Sequence, residues 1–183
     1  MKIRDAFCNY CGTKFGAPLS YPRKCTGCGM EVWANPIPVS VALVPIRAGE
    51  RTGLLVVRRA IPPGIGKLAL PGGFLEESES WQAGCAREVR EETGVVIDAA
   101  RVEPLWFASS HPHPNRLLLF GIAAELTAEA LPPHMPNAET QERGIVFGPG
   151  GIDELFVFSL HAEAARKYFA AHGVDRPHSF TPI

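Results

Sequence analysis

No stretch of this 183-residue chain approaches the roughly 20 consecutive apolar residues that a helix needs to cross a bilayer. The polar start MKIRDAF lacks the apolar core of a secretory signal, so the expectation is a cytoplasmic protein with no membrane partner. Neither sign of charge dominates: 18 Lys and Arg stand against 19 Asp and Glu, a net charge of -1. That balance argues against a generally basic protein that coats nucleic acid, and a nucleic-acid partner is not expected. Cysteine is scarce, with five in all. In a reducing compartment so few thiols point to metal ligation rather than to a disulfide framework. What remains is ordinary globular composition, 46% hydrophobic and 20% charged, at a length that suits one well-buried domain with a small appendage.

Four of the cysteines fall into two copies of one device. FCNYCGTKF and PRKCTGCGMEV each hold C-x-x-C followed by glycine, Cys8 and Cys11 before Gly12, Cys25 and Cys28 before Gly29. Two thiolates at that spacing can curl around one cation, and the glycine permits the tight turn beneath them. Together the knuckles offer the four sulfurs that structural Zn²⁺ prefers, with no position left open for water. The segment resembles a zinc ribbon, and we expect a small unit over residues 1–36. Thirty residues bury too little apolar surface to fold alone, so the expected role is structural. Lys14, Phe15, Tyr21, Arg23 and Lys24 offer only a thin version of the basic and aromatic alternation of a nucleic-acid surface. Cys85, inside a helical pattern, reads as a small buried apolar residue.

NPIP, at 35–38, breaks regular structure and separates the ribbon from a domain over 37–183. VSVALVPIR reads as a buried strand with a bulge at Pro45, GERTG as a turn and LLVVRR as a second strand, which predicts a hairpin over 39–59. Further strands are expected in VEPLWFAS, RLLLFGIAAEL and GIVF. A C-terminal helix over about 159–172 is predicted, with Ser159 as N-cap and Gly173 as stop. Strands and helices alternate without strict order, which predicts an α/β (α+β) fold with a mixed sheet covered by helices. Trp106 and Phe107 are expected in the core.

The segment PGGFLEESESWQAGCAREVREETGV is unusual in its acids. Ser78 or Ser80 can cap a helix that Gly94 ends, and Trp81, Cys85 and Val89 recur every fourth residue as a core stripe. Glu88, Glu91 and Glu92 lie on one neighbouring face, where like charges repel by a few tenths of a kcal/mol per pair. Gly84, one turn before Glu88, is a costly helix residue that leaves space for something to approach. A solvated acidic surface explains acids but not their restriction to one face beside a Gly-Gly loop. A hard divalent cation such as Mg²⁺ or Mn²⁺, bound through carboxylate oxygens, explains both.

The spacing G-x5-E-x7-REVREETGV, met by Gly73, Glu79, Arg87, Glu88, Val89, Glu91, Glu92, Gly94 and Val95, resembles the signature of the Nudix hydrolases. The resemblance implies an α/β/α sandwich with a mixed sheet and metal-dependent cleavage of a nucleoside diphosphate linked to another group. It implies that Glu88, Glu91 and Glu92 hold Mg²⁺ or Mn²⁺ with help from Gly73, that Glu88 is also a candidate base, and that Glu79 and Arg87 orient the helix. Ser78 stands where many members carry glycine. Glutamates beyond the box often assist, and of Glu139 and Glu142 the latter is favoured as the further catalytic residue.

A ribbon followed by this box is similar to the NADH pyrophosphatase group and to relatives that cleave FAD or ADP-ribose, which implies a dinucleotide substrate and a homodimer. The group's SQPWPFPxS is replaced here by SSHPHPNRL, from Ser109 to Leu117. His111 and His113 stand where ring-stacking aromatics would be, and Arg58, Arg59 and Arg116 are candidate phosphate contacts. ADP-ribose, a sugar nucleotide or a capped RNA end remain alternatives, as does a nucleotide-sensing or nucleic-acid-binding regulator. The intact glutamates favour an enzyme.

Overall fold

The computed structural model describes residues 6–17, 20–111 and 115–183. His113 lies outside the described residues. The chain divides into two compact units, Met1–Pro36 and Ile37–Ile183.

In the first unit, β1 (Arg23–Lys24) pairs antiparallel with β2 (Glu31–Val32). Both knuckles close in the same way: the Gly12 N–H donates to the Cys8 carbonyl and the Gly29 N–H to the Cys25 carbonyl, each at 2.9 Å. Gly12 and Gly29 sit at φ 74° and 77°, a left-handed conformation that a side chain would strain. Cys8, Cys25 and Val32 form a miniature core, with the Arg23 guanidinium over the Phe15 and Tyr21 rings.

The second unit holds two sheets. One has the order β7 (Gly72–Phe74), β3 (Ile37–Leu43), β9 (Arg116–Ile122), β8 (Glu103–Ser109). The other runs β10 (Leu126–Thr127), β4 (Pro45–Ala48), β5 (Arg51–Arg59), β11 (Thr140–Phe147), β12 (Ser179–Pro182), with β6 (Leu68–Ala69) also on β5. Both sheets are mixed, with β3 parallel to β9 and β4 parallel to β10. The bulge expected at Pro45 is instead a change of sheet: the chain leaves β3 at Leu43 and enters β4 at Pro45. Proline has no N–H for a ladder, so the break between two ladders suits it.

Period-two alternation along this segment buries both faces. Val41 and Leu43 join a core with Ala162, Ala165 and Phe169 of α3 (Ser159–Ala171). Ala42 and Val44 join another with Cys85 and Val89 of α1 (Trp81–Thr93). Helices thus flank the sheets on two sides, and the single-turn α2 (Ile152–Leu155) leads into α3. Ser159 is the first residue of α3 rather than its cap; Phe158 holds that position and supplies no side-chain hydrogen bond. Trp106 stacks on Phe120 at 5.2 Å, whereas Phe107 is 70% exposed. Neighbours on a strand point to opposite faces, and β8 is the last strand of its sheet.

Candidate active and metal sites

The box is built where α1 crosses β3 and β7. Ser80 caps the helix by accepting from the Ala83 N–H at 3.2 Å, and Gly94 ends it at φ 74°. Its C-terminus is held from two directions. The buried Arg143 guanidinium donates to the Thr93 carbonyl at 2.7 Å, a cation at the negative end of the helix dipole. The Asn137 amide donates to the Glu91 carbonyl at 2.9 Å. Ser78, the position where the box departs from glycine, adopts φ 71°.

Mid-helix Gly84 leaves no space for a ligand. A Cβ there would lie 2.6 Å from the Leu75 side chain and 2.7 Å from Ser40 Oγ, so the glycine lets α1 pack closely on β3. At Gly73 a Cβ would overlap the Glu88 carboxylate itself. The Gly72 N–H donates to Glu92 Oε2 at 3.1 Å. The main chain of β7 therefore abuts two carboxylates of the helix.

The three box acids differ in setting. Glu88 and Glu92 are buried, 9% and 7% exposed, whereas the Glu91 side chain is 50% exposed. Burial pushes the Glu92 carboxyl up to about 8, against the opposing pull of the Gly72 N–H. Burial also lifts Glu88 above the usual carboxylate range, with Arg87 pulling the other way. Arg87 organises the cluster. It donates to Glu79 at 2.8 and 3.2 Å, to Glu88 at 2.7 Å, to Glu91 at 3.1 Å and to the Phe74 carbonyl at 2.9 Å. The Arg87 guanidinium holds the Glu79 carboxyl below its ordinary range. With these donors in place, the four cysteines are the one set of metal-type ligand atoms among the described residues drawn within 4.8 Å of one another. The buried carboxylates of Glu88, served by Arg87, and of Glu92, served by the Gly72 N–H, are nonetheless hard oxygen donors of the kind that suits Mg²⁺ or Mn²⁺.

Of the two outer glutamates, Glu142 is paired with Arg58 at 2.8 Å. Glu139 instead lies close enough to Glu88 and Glu92 to raise both by its charge. A register shift between Thr140 and Glu142 separates the two settings. The arginines divide likewise. Arg58 also donates to the Gly66 carbonyl and stacks over Phe180. Arg59 is held by the carbonyls of Pro62 and Pro63, lies over Phe158, and exerts its charge on Glu92. Arg116 lies over the exposed ring of Phe74, whose carbonyl Arg87 holds. His111 is exposed. Phe74, Asn137 and Phe158 were not signalled by the sequence: their roles depend on partners far along the chain.

In the ribbon, Cys8 and Cys28 Sγ are 3.8 Å apart and Cys11 and Cys25 Sγ 3.6 Å. A tetrahedral ion with bonds of about 2.3 Å spaces its sulfurs about 3.8 Å apart, so the cage fits zinc. The Cys28 backbone N–H leads in lowering the Cys25 thiol to about 6, whereas, against the Met30 N–H, burial and the hydrogen bonds of the other three thiols push Cys28 up to about 12, so the sulfurs give up their protons in sequence.

The NUDIX domain family model matches residues 36–170. The NAD-capped RNA hydrolase NudC of Deinococcus radiodurans is 33% identical over 116 residues, 62% of this chain and 39% of that protein. NudC of Pseudomonas aeruginosa PAO1 is 32% identical over 130 residues, 70% of this chain and 44% of the relative. The chain thus spans less than half the length of these curated relatives. Among solved structures, a NUDIX hydrolase from Nitrosomonas europaea superposes with a TM-score of 0.65 at 23% identity, over 94% of this chain and 96% of that one. The NUDIX domain of Shewanella oneidensis NrtR, complexed with ADP ribose, does so with 0.62 at 16% identity, over 76% and 90%. These two likenesses speak to the fold alone. With its box intact and the family match running over well more than half its length, the chain belongs to the Nudix family.

Proposed function

We propose that this protein hydrolyses the pyrophosphate bond of an adenine dinucleotide of the NAD(H) or FAD type, releasing AMP and a second monophosphate. The observation that carries the reading is the meeting of the Gly72–Gly73 main chain with the buried carboxylates of Glu88 and Glu92. The names of the NudC relatives support the NAD type, either free or at an RNA end.

Glu88, Glu91 and Glu92, with the Gly73 main chain, would hold Mg²⁺ or Mn²⁺. Such ions supply charge neutralisation of the diphosphate and a water of lowered pKa. Arg87, tied to Glu79, fixes where Glu88 and Glu91 point. Arg59 and Arg116 flank the box and are the phosphate contacts; Arg58, paired with Glu142, is not. Glu139 replaces Glu142 as the acid outside the helix. Water adds to one phosphorus as the bridging P–O bond breaks, and Glu88 or Glu139 accepts its proton. The ribbon holds one structural Zn²⁺, and the protein works in the cytoplasm as a homodimer.

Purified protein with Mg²⁺ or Mn²⁺ is tested on NADH, FAD, ADP-ribose and NAD-capped RNA, with AMP or 5′-monophosphate RNA read by chromatography. Release from none of these overturns the reading. Glu92→Gln is expected to lose at least about 100-fold in kcat, in line with removal of a metal ligand; full turnover in that variant rejects the ligand assignment.

A further inference from the structure

Glu139 lies in a loop, 131–139, that has little regular structure of its own and contains three prolines. Such a segment would ordinarily hold its main chain loosely. Here it does not, because of Asn137. The Asn137 Oδ1 accepts both the Glu139 N–H and the Thr140 N–H at 2.9 Å, and its Nδ2 donates to the Glu91 carbonyl at 2.9 Å. The Asn137 N–H closes the turn on the Thr140 carbonyl at 3.0 Å. From the other side, the Ala60 N–H donates to the Glu139 carbonyl at 2.7 Å. Glu139 thus has its main chain fixed to the end of β5 and, through one side chain, to the box helix.

The amide's orientation is dictated by chemistry. Two N–H donors can be met only by Oδ1, and a carbonyl only by Nδ2. The Glu91 carbonyl is among the last four of α1, which have no partner within the helix. Aspartate could receive the two N–H groups but could not donate to that carbonyl, and it would bring another negative charge to an acidic site. Alanine would lose all three bonds. The position therefore calls for an amide.

We propose that Asn137 is a positioning residue that sets Glu139 against the acidic face of α1 and so completes the metal-binding carboxylate set. The proposal rests on the functional reading above. Its signature is dependence on Glu139: removing Asn137 matters only while Glu139 is a carboxylate.

The test is a double-mutant cycle on the full chain, with Asn137→Ala, Asn137→Asp, Glu139→Gln and the two doubles. It is read by kcat, KM and Mn²⁺ affinity from electron paramagnetic resonance of free Mn²⁺. Each Asn137 variant is expected to weaken Mn²⁺ and lower kcat about tenfold, as loss of an outer-shell partner does, with KM little changed. In the Glu139→Gln background the same substitutions are expected to change neither. Equal losses in both backgrounds, or unchanged Mn²⁺ affinity in the single variants, overturn the proposal. Asn137→Asp keeps the turn's two acceptor bonds and serves if the alanine variant fails to fold. If the wild-type protein cleaves no diphosphate, the functional reading fails while the Mn²⁺ cycle still decides the role of Asn137.

Discussion

Arg87 grips Glu79 with both Nη2 and Nε, at 2.8 and 3.2 Å, and the same guanidinium reaches Glu88 and Glu91 through Nη1. A lysine there keeps the charge but has no planar fork, so it cannot serve these partners together. Arg87→Lys is expected to lose about 1–3 kcal/mol of stability, the scale of charge-assisted hydrogen bonds lost in a half-buried setting. Its kcat should fall by about tenfold or more. Denaturant titration and steady-state kinetics check both, and wild-type values in the lysine variant contradict the orienting role.

Ser78 carries φ 71° in the loop that leads into α1. A residue with a Cβ costs roughly 1–2 kcal/mol in that region. Glycine would remove that cost, offset by about 0.4–1 kcal/mol of extra freedom in the unfolded chain. Ser78→Gly should therefore raise the melting temperature by up to about 6 °C, and Ser78→Val should lower it. Scanning calorimetry of the pair decides the sign.

His161 is buried in α3, accepts the Leu70 N–H through Nδ1 at 3.2 Å, and meets Phe120 edge-on. Burial, aided by the charge of Arg59, lowers it to about 3. The unfolded chain takes up a proton near pH 6.5 while the folded one does not. This contribution is complete above pH 6.5 and is lost progressively as pH falls toward 3. At pH 5 the loss amounts to about 2 kcal/mol. Glu92, lifted to about 8, contributes the opposite slope over the same range, so the His161 contribution is read as a difference: between pH 7 and 5 the unfolding free energy of His161→Gln should lose about 2 kcal/mol less than that of the wild type. Parallel pH profiles for the two proteins assign the effect to other groups.

The sulfur cage should bring one zinc per chain through purification without chelator. Cys25→Ser should lose it, since a buried ligand with a lowered thiol pKa is removed. Zinc content by atomic absorption, set against protein concentration, is the measurement. Full zinc in the serine variant is incompatible with a four-sulfur site.

The sequence made α1 legible because everything that defines it is local. Trp81, Cys85 and Val89 set its buried stripe, Ser80 its start and Gly94 its end. The ribbon was legible for the same reason, as its spacing within each knuckle is the geometry of its cage. What the sequence hid depends on distant partners. Gly84 reads as open space until Leu75 and Ser40 are seen filling it. Gly72–Phe74 reads as a loop until β3 supplies its ladder. Glu142 reads as the better outer acid until the fold sets Glu139 near the box acids and pairs Glu142 with Arg58, on either side of a register shift. Asn137 carries no motif at all, because its meaning lies in the Glu91 carbonyl 46 residues away.

The passage of the chain from β3 to β4 at Pro45 makes one continuous stretch a member of two sheets. Neither sheet can be pulled apart without dragging a strand out of the other, and each face of that stretch is packed by a different helix. Mechanically the second unit is one object, in which loosening at the box is felt on the far side under α3. Loss of Val41 or Ala42 packing should therefore lower a single cooperative unfolding transition rather than split it into two.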